Sequence, residues 1–343
     1  MDSLTPKDRL LRVLRKEPVD RPPVICTGGM MNSAIVEIMQ RTGNTLPEAH
    51  FDSAKMAALA GDIQSFTGFE NIGVPFCMTI EAELLGSEIN HGTLACEPKI
   101  AREIFPTVRD VVYQDVETMA CSGRMNVVAR AARQIAAENH DIPVVASLTG
   151  PISTAASIVD PLMFYKALRK DPEAAHRVLG YVTSLLSAFA KRLLASGASV
   201  IAIGDPSATG EILGPAMFEK FAVPYINQLA RDVHASGAPL ILHICGDLKR
   251  VSHCLPQLHS DALSTDAMVN LVELKNEFPR ITTMGNLSTY ALQWSAPEKI
   301  SAVTRNLVAS GINIISPACG LSTSTRLESI RALTGTVTGG TKE

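Results

Sequence analysis

Two short segments carry side chains that bind soft metal ions. LILHICG at 240–246 contains His243 and Cys245, and INIISPACG at 312–320 contains Cys319. Residues two apart in a strand point to the same side, so His243 and Cys245 can reach one ion together. An imidazole with two thiolates suits zinc, which keeps an exchangeable position in catalytic sites. The pattern indicates an open zinc site, although histidine and cysteine on an apolar strand also occur as ordinary buried residues.

Four more polar residues are candidates for the same site. Asp266 ends the expected strand segment ALSTD, so we expect it to be a fourth metal ligand or a proton acceptor. Asp205 ends VIAIGDP and is a second catalytic candidate, but Asp-Pro is also an ordinary turn starter. Asn286 in MGNLS and Glu81 are candidate cofactor-binding residues, with hydrogen-bonding structure as the alternative.

The elements that must position these residues alternate along the chain. Long amphipathic stretches such as 215–237 and 295–311 end at a glycine and are followed by a short apolar run, which is typical of a helix leading into a buried strand. The expected strands lie at 144–150, 200–206, 240–246, 281–288 and 312–320. Repeated strand and helix units of this length predict an α/β fold, a single (β/α)8 TIM barrel. The carboxyl ends of the strands of such a barrel converge, which would bring the candidate residues together.

The first third of the chain has a different pattern. Two helices are expected near 31–42 and 51–66, and 72–92 suits a hairpin or a cap over the barrel. TGGMMN at 27–32 does not match the G-x-G-x-x-G turn of dinucleotide-binding sheets. Its two glycines either let a flat macrocycle approach the backbone or form a plain flexible loop. We therefore predict one domain over 1–343, with N-terminal helical and hairpin additions within roughly 1–90.

Segments along nearly the whole chain resemble the corrinoid:coenzyme M methyltransferases, relatives of uroporphyrinogen decarboxylase. They are TPKDRLLRVLRKEPVDRPPV at 5–24, LPEAH at 46–50, PFCMTIEAELLGSEINHG at 75–92, LTGPIS at 148–153, IAIGDPSAT at 201–209, LHICGDL at 242–248, MGNLS at 284–288 and PACGLSTSTRLESIRAL at 317–333. Several of these segments are loose matches individually, but together and in this order they are specific.

The resemblance implies a barrel that holds Zn²⁺ through His243, Cys245 and Cys319. It also implies methyl transfer from a methylcorrinoid, carried by a separate corrinoid protein, to a small acceptor. A thiol such as coenzyme M is the expected acceptor, reacting as a zinc-bound thiolate, and tetrahydrofolate is the alternative. Asp266 stands where family members have a glutamate that the thiol displaces, and an aspartate is one methylene shorter.

Two other functions remain open. Decarboxylation of uroporphyrinogen would use the same barrel without metal, but the arginine-rich segment of those enzymes corresponds here to residues 25–39, which contain no arginine. A non-catalytic corrinoid-binding partner is the third possibility. Corrinoid carrier domains place a cobalt-ligating histidine in a D-x-H-x-x-G motif, and we do not expect this chain to hold a corrinoid in that way.

Composition excludes several other classes of protein. The chain of 343 residues is 46% hydrophobic and 19% charged, which favours a globular fold. A net charge of −3 with interspersed signs argues against nucleic acid as a partner. The charged N-terminus and the lack of a long apolar run predict no membrane association and a cytoplasmic location. The cysteines, seven in number, are expected to be reduced, and those outside the metal pattern to be structural.

Overall fold

A parallel sheet that curls into a barrel dominates the computed structural model, which describes residues 4–339. The strands are β1 Ile72–Val74, β2 Glu88–Asn90, β3 Lys99–Arg102, β4 Val144–Thr149, β5 Val200–Gly204, β6 Leu240–Ile244, β7 Ala262–Thr265, β8 Thr283–Leu287 and β9 Ile314–Pro317. Seven of them pair in the order β1-β4-β5-β6-β7-β8-β9, and every pairing between neighbours in this sheet is parallel. β2 and β3 form a separate antiparallel hairpin.

A short segment around Val24 closes the barrel as its first strand. Val24 makes a parallel bridge with Ile315 of β9. On its other side, the carbonyl of Val24 accepts a hydrogen bond from the backbone N–H of Glu70 at 2.8 Å. The side-chain amide of Asn71 pairs with the backbone of Cys26 in both directions, at 2.9 and 2.8 Å. This asparagine side chain replaces ladder hydrogen bonds where the segment approaches β1.

Helices follow the strands and cover the outside of the barrel. They are α1 Pro6–Leu14, α2 Val36–Thr42, α3 Ser53–Thr67, α4 Ile80–Leu84, α5 Val116–Ala120, α6 Gly123–Glu138, α7 Pro151–Ala156, α8 Pro161–Lys170, α9 Pro172–Ala195, α10 Gly214–Met217, α11 Val223–Ala235, α12 Leu271–Glu277, α13 Thr289–Trp294, α14 Pro297–Ala309 and α15 Leu327–Thr338. Short 3₁₀ segments span Glu48–His50 and Lys249–Gln257. Local sequence determines several ends: Thr5 and Asp52 cap α1 and α3, and Gly43 and Gly68 end α2 and α3 in the left-handed conformation.

The predicted barrel is confirmed, and every expected strand contains an observed one. The stretch at 215–237 is divided, since a π-helical turn at Phe218–Ala222 joins α10 to α11. The prediction for 72–92 was incomplete. Ile72–Val74 is a barrel strand, 80–84 is helical, and the hairpin continues beyond the segment to 99–102. The ends of the predicted 1–343 domain, residues 1–3 and 340–343, lie outside the described residues.

The barrel interior is closed at the N-terminal ends of its strands by helix α1. Leu10, Val13 and Leu14 of α1 join one buried cluster with inward-facing strand residues such as Ile241 and Met284. A second, larger apolar cluster lies between the strands and the outer helices. The opposite end, where the strands terminate, is the barrel mouth, and the polar candidates lie there.

Helix α9 is the one helix among residues 4–339 that is long and apolar enough to cross a membrane by length and composition. Its most apolar stretch is 61% buried inside the protein, which is the pattern of a core helix. It packs against α5, α7 and α11. Its apolar character is therefore accounted for by packing within the fold.

Candidate metal centre

Three side chains converge at the barrel mouth with geometry suited to one metal ion. The ligand atoms of His243, Cys245 and Cys319 all lie within 4.8 Å of one another. His243 Nε2 is 3.2 Å from Cys245 Sγ, and Cys245 Sγ is 4.0 Å from Cys319 Sγ. The structure thus brings together the three residues that the sequence pattern selected.

A pairing across neighbouring strands orients the histidine. His243 on β6 lies beside Ser264 on β7 in the parallel register, and both side chains are buried. His243 Nδ1 is 2.9 Å from Ser264 Oγ, and that hydroxyl donates onward to the sulfur of Met31 at 3.6 Å. With the hydroxyl proton used in this way, Nδ1–H donates to Ser264 and the lone pair of Nε2 faces the cysteines.

The sulfur atoms of the two cysteines lie close enough for one thiol to donate a hydrogen bond to the other. A hydrogen bond from Cys245 lowers the pKa of Cys319 to about 5 against the opposing effect of burial. The same bond and burial raise the pKa of Cys245, and the carboxylates of Asp266 and Asp205 raise it further. Cys319 is therefore the more acidic thiol of the pair, and a bound cation would displace the thiol protons.

Asp266 lies beside this triad but outside it. Its carboxylate accepts hydrogen bonds from the backbone N–H of Gly246 at 3.4 Å and of Met268 at 3.2 Å. Asn286 holds the same loop, because its side-chain N–H groups donate to the carbonyls of Asp266 and Val269 at 2.8 and 2.7 Å. That Asp266 is the fourth metal ligand stays a prediction. That Asn286 binds a cofactor stays a prediction as well.

Asp205 is fully buried at the end of β5. Its carboxylate accepts hydrogen bonds from the backbone N–H of Ile152 at 3.1 Å and from the backbone N–H and hydroxyl of Ser153 at 2.8 and 2.6 Å. Burial raises the pKa of Asp205 to about 6, although these donors pull it down. The carboxylate thus holds the start of α7 beside β5, and a catalytic role stays a prediction.

Glu81 is likewise buried among protein groups. Its two carboxylate oxygens accept hydrogen bonds from the backbone N–H and the hydroxyl of Thr149, each at 2.9 Å. Burial raises the pKa of Glu81. Both oxygens serve to join α4 to the end of β4, and binding of a cofactor by Glu81 stays a prediction.

The loop that follows the first strand fills the barrel beneath the metal centre. Gly28 and Gly29 adopt positive φ angles of 96° and 59°, and added Cβ atoms would lie 2.8 Å from the Val74 nitrogen and 2.6 Å from the Ser147 Cβ. The glycines therefore pack against strands, and do not form an open surface for a macrocycle. Met30 and Met31 point inward, leaving about 10 Å³ of space next to His243.

Glu97 is a mouth residue that the sequence analysis missed. It lies in the connection between β2 and β3, and its carboxylate accepts a hydrogen bond from Asn32 at 3.1 Å. The backbone N–H of Leu321, two residues after Cys319, is 3.4 Å from the Asn32 carbonyl. Burial raises the pKa of Glu97, and so does charge at Cys319. No local motif marks Glu97, because its partner is 65 residues away.

The remaining cysteines and a segment with D-x-H-x-x-G spacing lie outside the candidate metal centre. All seven cysteines are free, and Cys26, Cys77 and Cys254 are buried as expected, but Cys96 and Cys121 are exposed. The segment DVHASG at 232–237 does match the D-x-H-x-x-G spacing. His234 in it lies at the end of α11 and contacts Asp261 at 2.8 Å, so here the spacing belongs to a helix end followed by a turn.

Comparison with known proteins places this geometry in a family. The model of the uroporphyrinogen decarboxylase (URO-D) family matches residues 5–339. The chain belongs to the uroporphyrinogen decarboxylase family. A methylcobamide:CoM methyltransferase of Methanosarcina acetivorans is 31% identical to this family member over 94% of each chain. One from Methanosarcina barkeri is 29% identical over 97% of each chain.

A solved structure supports the same placement within the URO-D family. A methyltransferase from Methanosarcina mazei superimposes with a TM-score of 0.92 at 29% identity, covering 98% of this chain and 99% of that one. The barrel is therefore confirmed over nearly its full length. The prediction that this family member is a methyltransferase is confirmed as well.

Proposed function

We propose that the chain transfers a methyl group from a methylated corrinoid, presented by a separate carrier protein, to a small thiol of the coenzyme M class. The observation that carries the proposal is the convergence of His243, Cys245 and Cys319 within 4.8 Å at the barrel mouth. The relatives described above are methylcobamide:CoM methyltransferases by name, which supports both the donor and the acceptor class.

The donor set fits zinc. Two thiolates about 2.3 Å from a tetrahedral zinc ion are roughly 3.8 Å apart, and the sulfurs of Cys245 and Cys319 are 4.0 Å apart. One imidazole and two thiolates leave one position for an exchangeable ligand. When bound, zinc would supply the positive charge that favours the thiolate form of an acceptor thiol at neutral pH.

Two residues beside the proposed zinc ion, Ser264 and Asp266, would have different roles. Ser264 would fix the histidine tautomer, and Asp266, beside the triad, would occupy the fourth position or accept the proton of the incoming thiol. In the reaction, the carbon–cobalt bond breaks and a carbon–sulfur bond forms. The corrinoid leaves as Co(I) with the electron pair, and the thiol proton passes to a carboxylate and then to solvent.

A direct experiment tests the proposal. The metal-loaded protein is mixed with methylcobalamin and with coenzyme M, other thiols or tetrahydrofolate, and the loss of methyl–cobalt absorbance is followed. Turnover with a thiol, abolished by removing zinc and restored by adding it, supports the proposal. Turnover with tetrahydrofolate alone, or metal-independent turnover of uroporphyrinogen, would overturn it. Zinc retained without transfer to any acceptor would favour a non-catalytic partner of a corrinoid protein.

A cytoplasmic location belongs to the same proposal. All seven cysteines are free, including the exposed Cys96 and Cys121, which suits a reducing compartment. The thiol chemistry proposed for Cys245 and Cys319 needs the same conditions. Fractionation of cells that produce the protein would test the location.

A further inference from the structure

A cationic cleft lies at the N-terminal face of the barrel, at the opposite end from the metal centre. Its cavity of about 430 Å³ is bounded by the end of α1, the segment before β8 and the turn before β9. This volume is in the range of small-ligand sites. A strand of five residues separates the two faces by roughly 15 Å, so the cleft is independent of the proposed methyl transfer.

Positive side chains dominate the lining of the cleft. Lys16, Lys275 and Arg280 line it together with one carboxylate, Glu17. Among residues 4–339, none of these three cations has an acidic oxygen within 4.0 Å, whereas Arg21, which also lines the cleft, is neutralised by Glu70 at 2.7 Å. Three uncompensated cations around one concave space attract an anion.

Lys16 occupies a backbone position where glycine is the usual residue. It follows α1 with a φ of 61° and is the only non-glycine with a positive φ among residues 4–339. The backbone N–H of Lys16 bonds the carbonyl of Val13 at 3.0 Å, and that of Glu17 bonds the carbonyl of Arg12 at 2.9 Å. This is the Schellman pattern that ends many helices, and it favours glycine because Cβ is crowded there. A strained lysine that lines a cleft points to a role for its side chain.

The neighbouring space indicates what kind of anion would bind. A second cavity of about 460 Å³ shares Lys16 and Arg280 with the cleft; one carboxylate, Glu277, also lines it, and Leu255, Leu258 and Phe278 give it an apolar wall. A ligand could place its charge among the cations and an organic group along that wall. Lysine ammonium and arginine guanidinium groups both pair well with phosphate oxygens.

We propose that this cleft binds a phosphorylated small molecule, with its phosphate groups between Lys16, Lys275 and Arg280. The exposed Arg280 guanidinium and the Lys16 ammonium stand at the junction of the two cavities. The ammonium group of Lys275 donates a hydrogen bond to the carbonyl of Gly311, which also lines the cleft. Such a site provides binding remote from the metal centre, as expected for an effector.

Inorganic pyrophosphate is the probe for the first experiment. We expect titration calorimetry at constant ionic strength to show saturable binding, with sulfate a weaker competitor. Lys16→Gly should weaken binding at least 10-fold while leaving the melting temperature equal or higher, because glycine relieves the strained backbone. Arg280→Gln provides a second variant in an exposed segment, and the exposed Lys166→Gln on α8 is the matched control for loss of one charge.

The binding measurements either support or contradict the proposed phosphate site. Binding lost in Lys16→Gly and Arg280→Gln but kept in Lys166→Gln supports the site. No saturable binding, or equal dissociation constants in all four proteins, overturns it. Methyl transfer should be unchanged in Lys16→Gly without the probe, so failure of the proposed reaction does not affect this test.

Discussion

Ser264 Oγ lies 2.9 Å from Nδ1 of His243, and the two residues are register partners on adjacent strands. Because Nδ1 is hydrogen-bonded to this hydroxyl, Nε2 is the ring nitrogen that is available to a metal. An outer hydrogen bond of this kind fixes the tautomer and strengthens the ligand. The pairing of β6 with β7 therefore orients His243, one of the candidate metal ligands.

Replacing Ser264 tests this relationship. Ser264→Ala should fold normally but bind zinc about 10- to 100-fold more weakly, because the imidazole loses its orienting partner. Competition with a chromogenic chelator measures the affinity. Ser264→Thr, which keeps the hydroxyl, is the matched control. An unchanged zinc affinity in Ser264→Ala would show that the histidine is oriented by packing alone.

The two cysteines should be required together for metal retention. We expect about one zinc per chain in the purified protein, because one imidazole and two thiolates form one site. Cys245→Ser and Cys319→Ser should each lower zinc content and methyl transfer in parallel, whereas the buried Cys254→Ser should keep both. Elemental analysis and the methylcobalamin assay supply the measurements. Full zinc and full activity in both site variants would remove these residues from the centre.

Asp266 should affect the acceptor more than the metal. Asp266→Ala is expected to retain zinc through the other three ligands, to lower KM for the thiol several-fold and to lower kcat, because both a competing ligand and a proton acceptor are removed. In the wild type, X-ray absorption should show an oxygen ligand replaced by sulfur when the thiol is added. A zinc shell that does not change under saturating thiol would contradict the proposed mechanism.

Asp205 should make stability depend on pH. Its folded pKa of about 6 lies above the ordinary value of 3.8, so the folded state binds more protons between these pH values. Its contribution to stability is present below pH 4 and is lost as pH rises through 6, by about 3 kcal/mol. Asp205→Asn should reduce this slope in urea unfolding measured from pH 4 to 7.5, and the raised pKa of Glu81 should leave a smaller slope of the same sign. The exposed Asp110→Asn should retain the full slope, and an unchanged slope in Asp205→Asn would assign it to another group.

Strands such as β5 were predictable because all of their residues are buried, so that each reads as a continuous apolar run. β6, with all five residues buried, is an example. The candidate metal ligands His243 and Cys245 were predicted from the side-chain alternation of that strand. β1 has only three residues, too few to show a period, and the Val24 segment pairs with β9 through a single bridge.

Contacts between distant parts of the chain explain what the sequence could not predict. The contact between Ser264 and His243 could not be predicted before the strand register was known. Glu97 reaches the mouth through Asn32, and neither residue lies in a motif with a chemical signature. The inward turn at Gly28 depends on the close approach of Val74, which local propensity does not encode.

The methionines that fill the barrel beneath His243 have a kinetic consequence for the proposed reaction. Since Met30 and Met31 leave about 10 Å³ below the histidine, methyl donor and acceptor must both reach the metal from outside the mouth. A carrier protein docked over that opening would cover the thiol and its product alike. We therefore expect a compulsory order, in which the thiol binds before the carrier and the methylated product leaves only after the carrier dissociates, so excess carrier should inhibit turnover.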